Sequence, residues 1–292
     1  MQTILERISS GEKLVADGAT GTNLKQRGLD PTASAEQWVL EQPDEIVRLH
    51  SDFIEAGSDI ILTSTFGGTA VRLEHTGGVG NVNEVNSTAV ELAKKARGER
   101  NKIIAGSVGP TGVLMRPLGA MEKEQAYSEF QTQIQLLSDG GVDLLVIETF
   151  FALEEAEQAV KAAKSIVSVP IVCSFTYDRG NRTMMGVKPG QMAAACHEWG
   201  VDILGINCGR GLEENYQILQ ELRAATQLPI WFKPNAGLPD TDDDANSIYR
   251  LTPEEMGESA KLWVAGGASI VGGCCGTTPQ HLKQIAISAK GK

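Results

Sequence analysis

Short apolar runs alternate with helical patterns about eight times along the chain. The runs are KLVAD (13–17), DIILTST (59–65), KIIAGSV (102–108), DLLVIET (143–149), PIVCSFT (170–176), DILGINC (202–208), PIWFKPN (229–235) and SIVGGCC (269–275). Most are near-continuous rather than strictly alternating, which is how strands of a parallel sheet covered on both faces read. Between them, apolar residues recur at spacings of three and four: Ile46, Leu49, Phe53 and Ile54; Val85, Ala89, Leu92 and Ala96; Ala126, Phe130, Ile134 and Leu137. The same spacing returns in Ala156, Val160 and Ala163, and in Met256, Ala260 and Trp263. Each such set predicts a helix with one buried face. Pro43, Pro253 and Pro279 stand near helix starts, where a missing N–H costs nothing. Strand and helix repeated eight times without a long linker predict a (β/α)8 TIM barrel, with residues 1–292 as a single domain. An open doubly wound sheet is the alternative. The Gly18-Ala19-Thr20-Gly21 that follows the first strand lacks the dinucleotide pattern that would favour it.

Composition narrows the possibilities. The 292 residues carry 26 Lys plus Arg against 37 Asp plus Glu, a formal charge of -11. That balance disfavours nucleic acid and anionic membrane surfaces as partners. No apolar run is long enough to cross a membrane, and the N-terminal stretch lacks the apolar core of a secretory signal. Five cysteines, two of them adjacent, make a poor disulfide framework and suit a reducing cytoplasm. The N-x-S/T matches at Asn86 and Asn181 are then idle. The acidic run Asp240, Asp242, Asp243 and Asp244 reads as a solvated loop, since it lacks calcium-loop spacing.

Reactive groups of such a barrel belong at the C-terminal ends of its strands. Read in order, those ends are Asp17, Thr65, Ser107, Glu148, Thr176, Cys208, Asn235, and Cys274 with Cys275. Strands six and eight are separated only by strand seven, so Cys208, Cys274 and Cys275 would converge. Three thiolates in one pocket repel unless a cation holds them, and zinc is the natural one. Packed or mutually oxidised thiols are the plain alternative. Cys173 and Cys196 read as small core residues, and His50, His75, His197 and His281 as surface or packing histidines. Zinc on three thiolates is a feeble Lewis acid but can bind an incoming thiol as a nucleophilic thiolate. Asp17 and Glu148 could bind an ammonium, which makes the expected substrate an amino acid bearing a thiol.

These residues resemble the zinc-dependent homocysteine S-methyltransferases over essentially the whole chain. The resemblance is carried by Asp17-Gly18-Ala19-Thr20-Gly21-Thr22, Thr63-Ser64-Thr65-Phe66-Gly67, Ser107-Val108-Gly109-Pro110-Thr111-Gly112 and Glu148-Thr149. It continues in Gly205-Ile206-Asn207-Cys208, Lys233-Pro234-Asn235-Ala236-Gly237 and Gly272-Gly273-Cys274-Cys275-Gly276. It implies zinc on Cys208, Cys274 and Cys275, with homocysteine as methyl acceptor and methionine as product. Asp17 and Glu148 would hold the amino group, and Gly18 and Ser107 the carboxylate, largely through backbone N–H groups. Asn235 matches a residue that fills the fourth metal position without substrate and then swings away; read alone, it is a strand-end turn residue.

The methyl donor differs among branches. Betaine-using members carry an aromatic after the second strand, where this chain has Gly67. The Lys233–Gly237 run and the segment 109–119 most resemble the homocysteine-binding module of cobalamin-dependent methionine synthase. The expected donor is therefore methylcobalamin or another methylcorrinoid; S-methylmethionine, betaine or another small onium is the alternative. With no folate or cobalamin module in the sequence, the chain is expected to be a fragment of a larger enzyme or to meet a separate corrinoid protein. Two rivals remain: a Schiff-base lyase using Lys233, and a non-catalytic subunit that binds homocysteine or a corrinoid protein.

Overall fold

The computed structural model describes residues 2–77, 80–241 and 247–291. Eight parallel strands form one sheet: β1 (Leu14–Val15), β2 (Ile60–Leu62), β3 (Ile103–Val108), β4 (Leu144–Phe150), β5 (Ile171–Phe175), β6 (Ile203–Cys208), β7 (Ile230–Pro234) and β8 (Ile270–Val271). Neighbours run in the order β1, β8, β7, β6, β5, β4, β3, β2. A parallel bridge between Ala16 and Ile60 joins the two ends and closes the barrel. The expected (β/α)8 barrel is the observed fold.

The continuous apolar runs follow from this closure. Leu144 and Val146 point into the barrel with Leu14, Ala16, Ile60, Ala105, Val172, Ile203, Trp231 and Ile270. Leu145 and Ile147, the intervening residues, pack outward with Leu204, Phe232, Phe130 and Trp263 under the helices. Both faces of each strand are dry, so both parities must be apolar. Ile4, on the N-terminal helix Ile4–Ser9, packs with the inner set.

The helices begin where prolines and hydroxyls specify. Pro43, Pro189, Pro253 and Pro279 each open a helix. Thr252 and Thr278 cap the last two, accepting from the N–H groups of Glu255 and His281. Cys173 and Cys196 are buried in the outer core, as expected. All the strands but β4 are shorter than their apolar runs, because the last residues of several runs leave the ladder to build the rim. Four short helices lie outside the predicted set: Ile4–Ser9, Thr20–Gln26, Ala35–Glu41 and Ala70–His75. Each is too short to show two turns of an apolar stripe. Asp240 lies in a small antiparallel hairpin with Ser247–Ile248 and pairs with Arg250 at 2.6 Å in the open. Asp242, Asp243 and Asp244 lie outside the described residues. Among those residues, no helix is long and apolar enough to cross a membrane.

Candidate functional site

Strand periodicity carries polar side chains into the barrel just above its apolar floor. Two residues beyond the inward-facing Ala105, Val146, Val172 and Trp231 stand Ser107, Glu148, Ser174 and Lys233, all buried. Asn207 lies opposite Lys233 in the β6–β7 register and is likewise buried. The step of two is the strand's own period. The chain thus switches from hydrocarbon to hydrogen-bonding groups at one level of the barrel.

Three strand ends are stitched together above this layer. The Asn235 N–H donates to the Cys208 carbonyl at 3.3 Å, and the Cys274 N–H to the Pro234 carbonyl at 2.8 Å. The Cys275 N–H donates to Asn235 Oδ1 at 3.0 Å, while Asn235 Nδ2 donates to the Gly209 carbonyl at 3.1 Å. Through these bonds the thiols of Cys208, Cys274 and Cys275 come within 4.8 Å of one another. The Cys208 and Cys274 sulfurs are 2.8 Å apart and unbonded. All three residues are half-buried, so the cluster faces the open mouth. Hydrogen bonds from Cys208 and Cys274 hold the Cys275 thiol well below the ordinary thiol value, and Cys208, as donor, is pushed up. A tetrahedron with metal–sulfur bonds of ~2.3 Å has edges of about 3.8 Å. The Cys208–Cys274 pair is closer than such an edge and would spread around an ion; three free thiols within 4.8 Å of one another with one open side are a donor set that fits zinc.

The charged groups lie alongside. Lys233 Nζ donates to Asp17 Oδ1 at 2.6 Å, and both side chains are almost fully buried. The second carboxylate oxygen of Asp17 accepts from the Leu62 N–H at 2.7 Å. Burial opposes the Lys233 charge, but the Asp17 and Glu148 carboxylates outweigh it and hold Lys233 above its ordinary value. An amine held protonated in this way is not a Schiff-base nucleophile, which removes the support for the lyase reading. Glu148 accepts from the Ser107 hydroxyl at 2.6 Å. Burial pushes Glu148 up to about 7, although the Lys233 ammonium pulls it the other way. The Ser107 N–H donates to Thr63 Oγ1 at 3.0 Å. Gly18 has no room for a side chain: an added Cβ would lie 2.6 Å from the Phe53 ring and 2.7 Å from the Thr277 carbonyl.

All the residues singled out in the sequence, Asp17, Gly18, Ser107, Glu148, Cys208, Asn235, Cys274 and Cys275, therefore sit at the C-terminal end of the barrel. Others of the site were not singled out. Asn207 touches two of the sulfurs; counting back by two from the interior would have placed it. Tyr249 lies over Gly276, where an added Cβ would strike its ring; no local pattern marks it. The four histidines stay out of the cluster. His197, His75 and His281 hydrogen-bond to Thr226, the Val71 carbonyl and the Leu251 carbonyl, and His50 is buried.

A parallel eight-stranded barrel with a carboxylate, an ion pair and a thiol tripod at its C-terminal mouth is the framework of a barrel enzyme with a metal-capable site. Residues 14–288 match the family described as Homocysteine S-methyltransferase. The chain belongs to that family. Methionine synthase of Mycobacterium leprae is 28% identical over 307 residues, covering 99% of this chain and 25% of that protein. Methionine synthase of Mycobacterium tuberculosis is 29% identical over 305 residues, covering 98% and 25%. The chain thus spans about a quarter of the length of these curated relatives. Among solved structures, the metallated form of the homocysteine methyltransferase MmuM from Escherichia coli superposes with a TM-score of 0.79. It is 26% identical and covers 94% of this chain and 96% of that one.

Proposed function

We propose that this chain, as one barrel domain over residues 1–292, methylates the thiol of homocysteine to give methionine, with zinc on Cys208, Cys274 and Cys275. The convergence of three free thiols within 4.8 Å at the barrel mouth carries the reading. Zinc on such a tripod would lower the pKa of an incoming thiol and keep its sulfur nucleophilic.

The chain's own residues then do the positioning. Glu148, ionised, receives the substrate ammonium; Asp17 shares its charge with Lys233 and completes the acidic wall. Gly18, pressed against Phe53 and the Thr277 carbonyl where a Cβ would clash, faces the substrate carboxylate, whereas the Ser107 N–H expected to join it is already given to Thr63 Oγ1 and its hydroxyl to Glu148, so Ser107 serves to hold Glu148. Asn235 braces the ends of β6, β7 and β8 and is the candidate fourth ligand when substrate is absent. The chemistry balances simply. A sulfur–carbon bond forms as the donor–methyl bond breaks in line, the electron pair stays with the donor, and the thiol proton passes to solvent. Holding sulfur and methyl in line is where much of the acceleration arises. The donor favoured by the similarity to methionine synthases is a methylcorrinoid, free or on a separate corrinoid protein.

Metal analysis with turnover tests this. The purified chain is expected to hold one zinc per molecule and to form methionine. Cys275→Ala and Cys208→Ala are expected to lose both while staying folded by circular dichroism. A Cys275→Ala protein that keeps its zinc and its turnover would refute the assignment.

A further inference from the structure

One buried amide connects the thiol cluster to the rest of the barrel. Asn207 Oδ1 accepts from the Thr149 N–H at 3.0 Å and from the Ser174 hydroxyl at 2.6 Å. A backbone N–H can only donate, so the oxygen must face Thr149, and the orientation of the amide is settled by chemistry. Nδ2 therefore faces the other way. It donates to Thr149 Oγ1 at 2.6 Å and lies 3.5 Å from Cys208 Sγ and 3.9 Å from Cys274 Sγ. One of its two protons is used by the hydroxyl; the other is left for the two sulfurs.

The backbone adds an independent observation. Among the described residues, the non-glycine positions with positive φ are Thr149, at 66°, and Cys208, at 56°. Left-handed backbone is unfavourable for an L-residue and persists only where the surroundings fix it. Both residues are bonded to the Asn207 side chain. The Cys208 turn is held further by Asn215 Nδ2, which donates to the Cys208 carbonyl at 2.9 Å, and by the Gly209 N–H, which donates to Thr176 Oγ1 at 3.1 Å. The amide is thus the junction at which two unfavourable turns, on β4 and β6, are locked so that one sulfur points at the other two.

We propose that Asn207 is a positioning residue of the metal site, whose amide N–H holds the sulfurs of Cys208 and Cys274 in place and draws electron density from them. The inference rests on the zinc reading above. An N–H···S bond lowers the energy of the sulfur lone pairs and spreads the negative charge that three thiolates concentrate at the barrel mouth. Groups that orient metal ligands from behind typically matter roughly 10–100-fold in metal affinity.

Cobalt(II) in place of zinc on the full chain reports on the sulfurs directly. Asn207→Ala and Asn207→Asp both remove the N–H donors; the second is nearly isosteric and keeps the acceptors for Thr149 and Ser174. Ser174→Ala removes a brace from the amide oxygen but leaves the sulfur-facing N–H. In the two Asn207 variants the sulfur-to-cobalt charge-transfer band is expected at lower energy than in the unaltered chain. Half-saturating zinc, measured against a chelator, is expected to rise roughly 10–100-fold. Ser174→Ala is expected to keep the original band. If Asn207→Ala does not fold, Asn207→Asp carries the comparison. A folded Asn207→Asp protein with an unchanged band and unchanged zinc affinity overturns the inference while leaving the zinc site standing. Absence of any thiolate–cobalt band in the unaltered chain overturns both.

Discussion

Glu148 and the Asp17–Lys233 pair put three ionisable groups where water is nearly excluded, and for Glu148 burial decides the outcome. A carboxyl raised to about 7 when folded, against an ordinary value near 4.5 in the unfolded chain, binds its proton more tightly in the native state. Its contribution to stability is therefore fully present below the unfolded value and is lost as pH rises through about 7. Glu148→Gln stays neutral throughout. Relative to the unaltered chain, the metal-free variant should gain on the order of 2 kcal/mol between pH 5 and pH 8 in urea unfolding. Parallel pH profiles would mean that Glu148 does not titrate in this range. On the proposed role of Glu148 in receiving the substrate ammonium, homocysteine affinity should rise as pH passes about 7, and the same substitution should remove that rise. At this scale the site was only partly legible. Cys208, Cys274, Cys275, Asp17 and Glu148 could be read because they end strands. Lys233 was read as a candidate nucleophile because its partner Asp17 lies 216 residues away, and no local pattern reveals such a pair. Asn207 stood in a quoted motif, but the two turns it locks are backbone conformations that composition does not encode.

The helix Pro43–Glu55 shows how an element reads clearly and still hides a liability. Its stripe of Ile46, Leu49, Phe53 and Ile54 was visible as spacings of three and four, and all four are buried. His50 lies on the same face, and its Nε2 is buried without a hydrogen-bond partner. Burial pushes it down to about 4, with the Asp17 charge acting in the opposite sense. A base depressed in the folded state contributes stability above its unfolded value, near 6.5, and that contribution is lost as pH falls through about 4. At pH 5 the loss is about 2 kcal/mol. His50→Leu, of similar volume, should show a correspondingly smaller drop in stability between pH 7 and pH 5. An equal drop in both proteins would place the acid sensitivity elsewhere. The short rim helices Thr20–Gln26, Ala35–Glu41 and Ala70–His75 escaped prediction for the opposite reason. They are held by contacts to the rim, as where the Glu36 carboxylate accepts from the Gly67 N–H at 2.6 Å, rather than by an apolar stripe of their own.

At the scale of the molecule, the barrel could be read because double-sided burial writes itself into every strand, eight times. Its closure rests on the bridge between Ala16 and Ile60 together with bonds from the Asp59 N–H to the Val15 carbonyl and from the Leu62 N–H to Asp17, which no run of residues announces. The donor is the question on which the whole mouth bears. An onium methyl donor calls for aromatic faces or carboxylates around its cation. At the end of β2 stands Gly67, where an added Cβ would lie 3.2 Å from both the Arg72 side chain and the Glu36 carboxylate. Arg72 also packs against Gly112 in the segment after β3. The Arg72 methylenes and the Glu36 carboxylate leave no space for a ring at Gly67, and the Arg72 guanidinium, lying against Gly112, offsets the attraction of that carboxylate for a second cation. A methylcorrinoid carries its reactive methyl on a large, flat face and needs only an open mouth above the sulfurs, which are half-buried. The zinc-loaded chain given homocysteine should therefore form methionine from free methylcobalamin, and at least about ten-fold less from S-methylmethionine, betaine or dimethylsulfoniopropionate at equal concentration. Arg72→Ala should narrow that gap by admitting onium donors. Methionine from S-methylmethionine but none from methylcobalamin would sink the corrinoid assignment and leave the thiol chemistry intact.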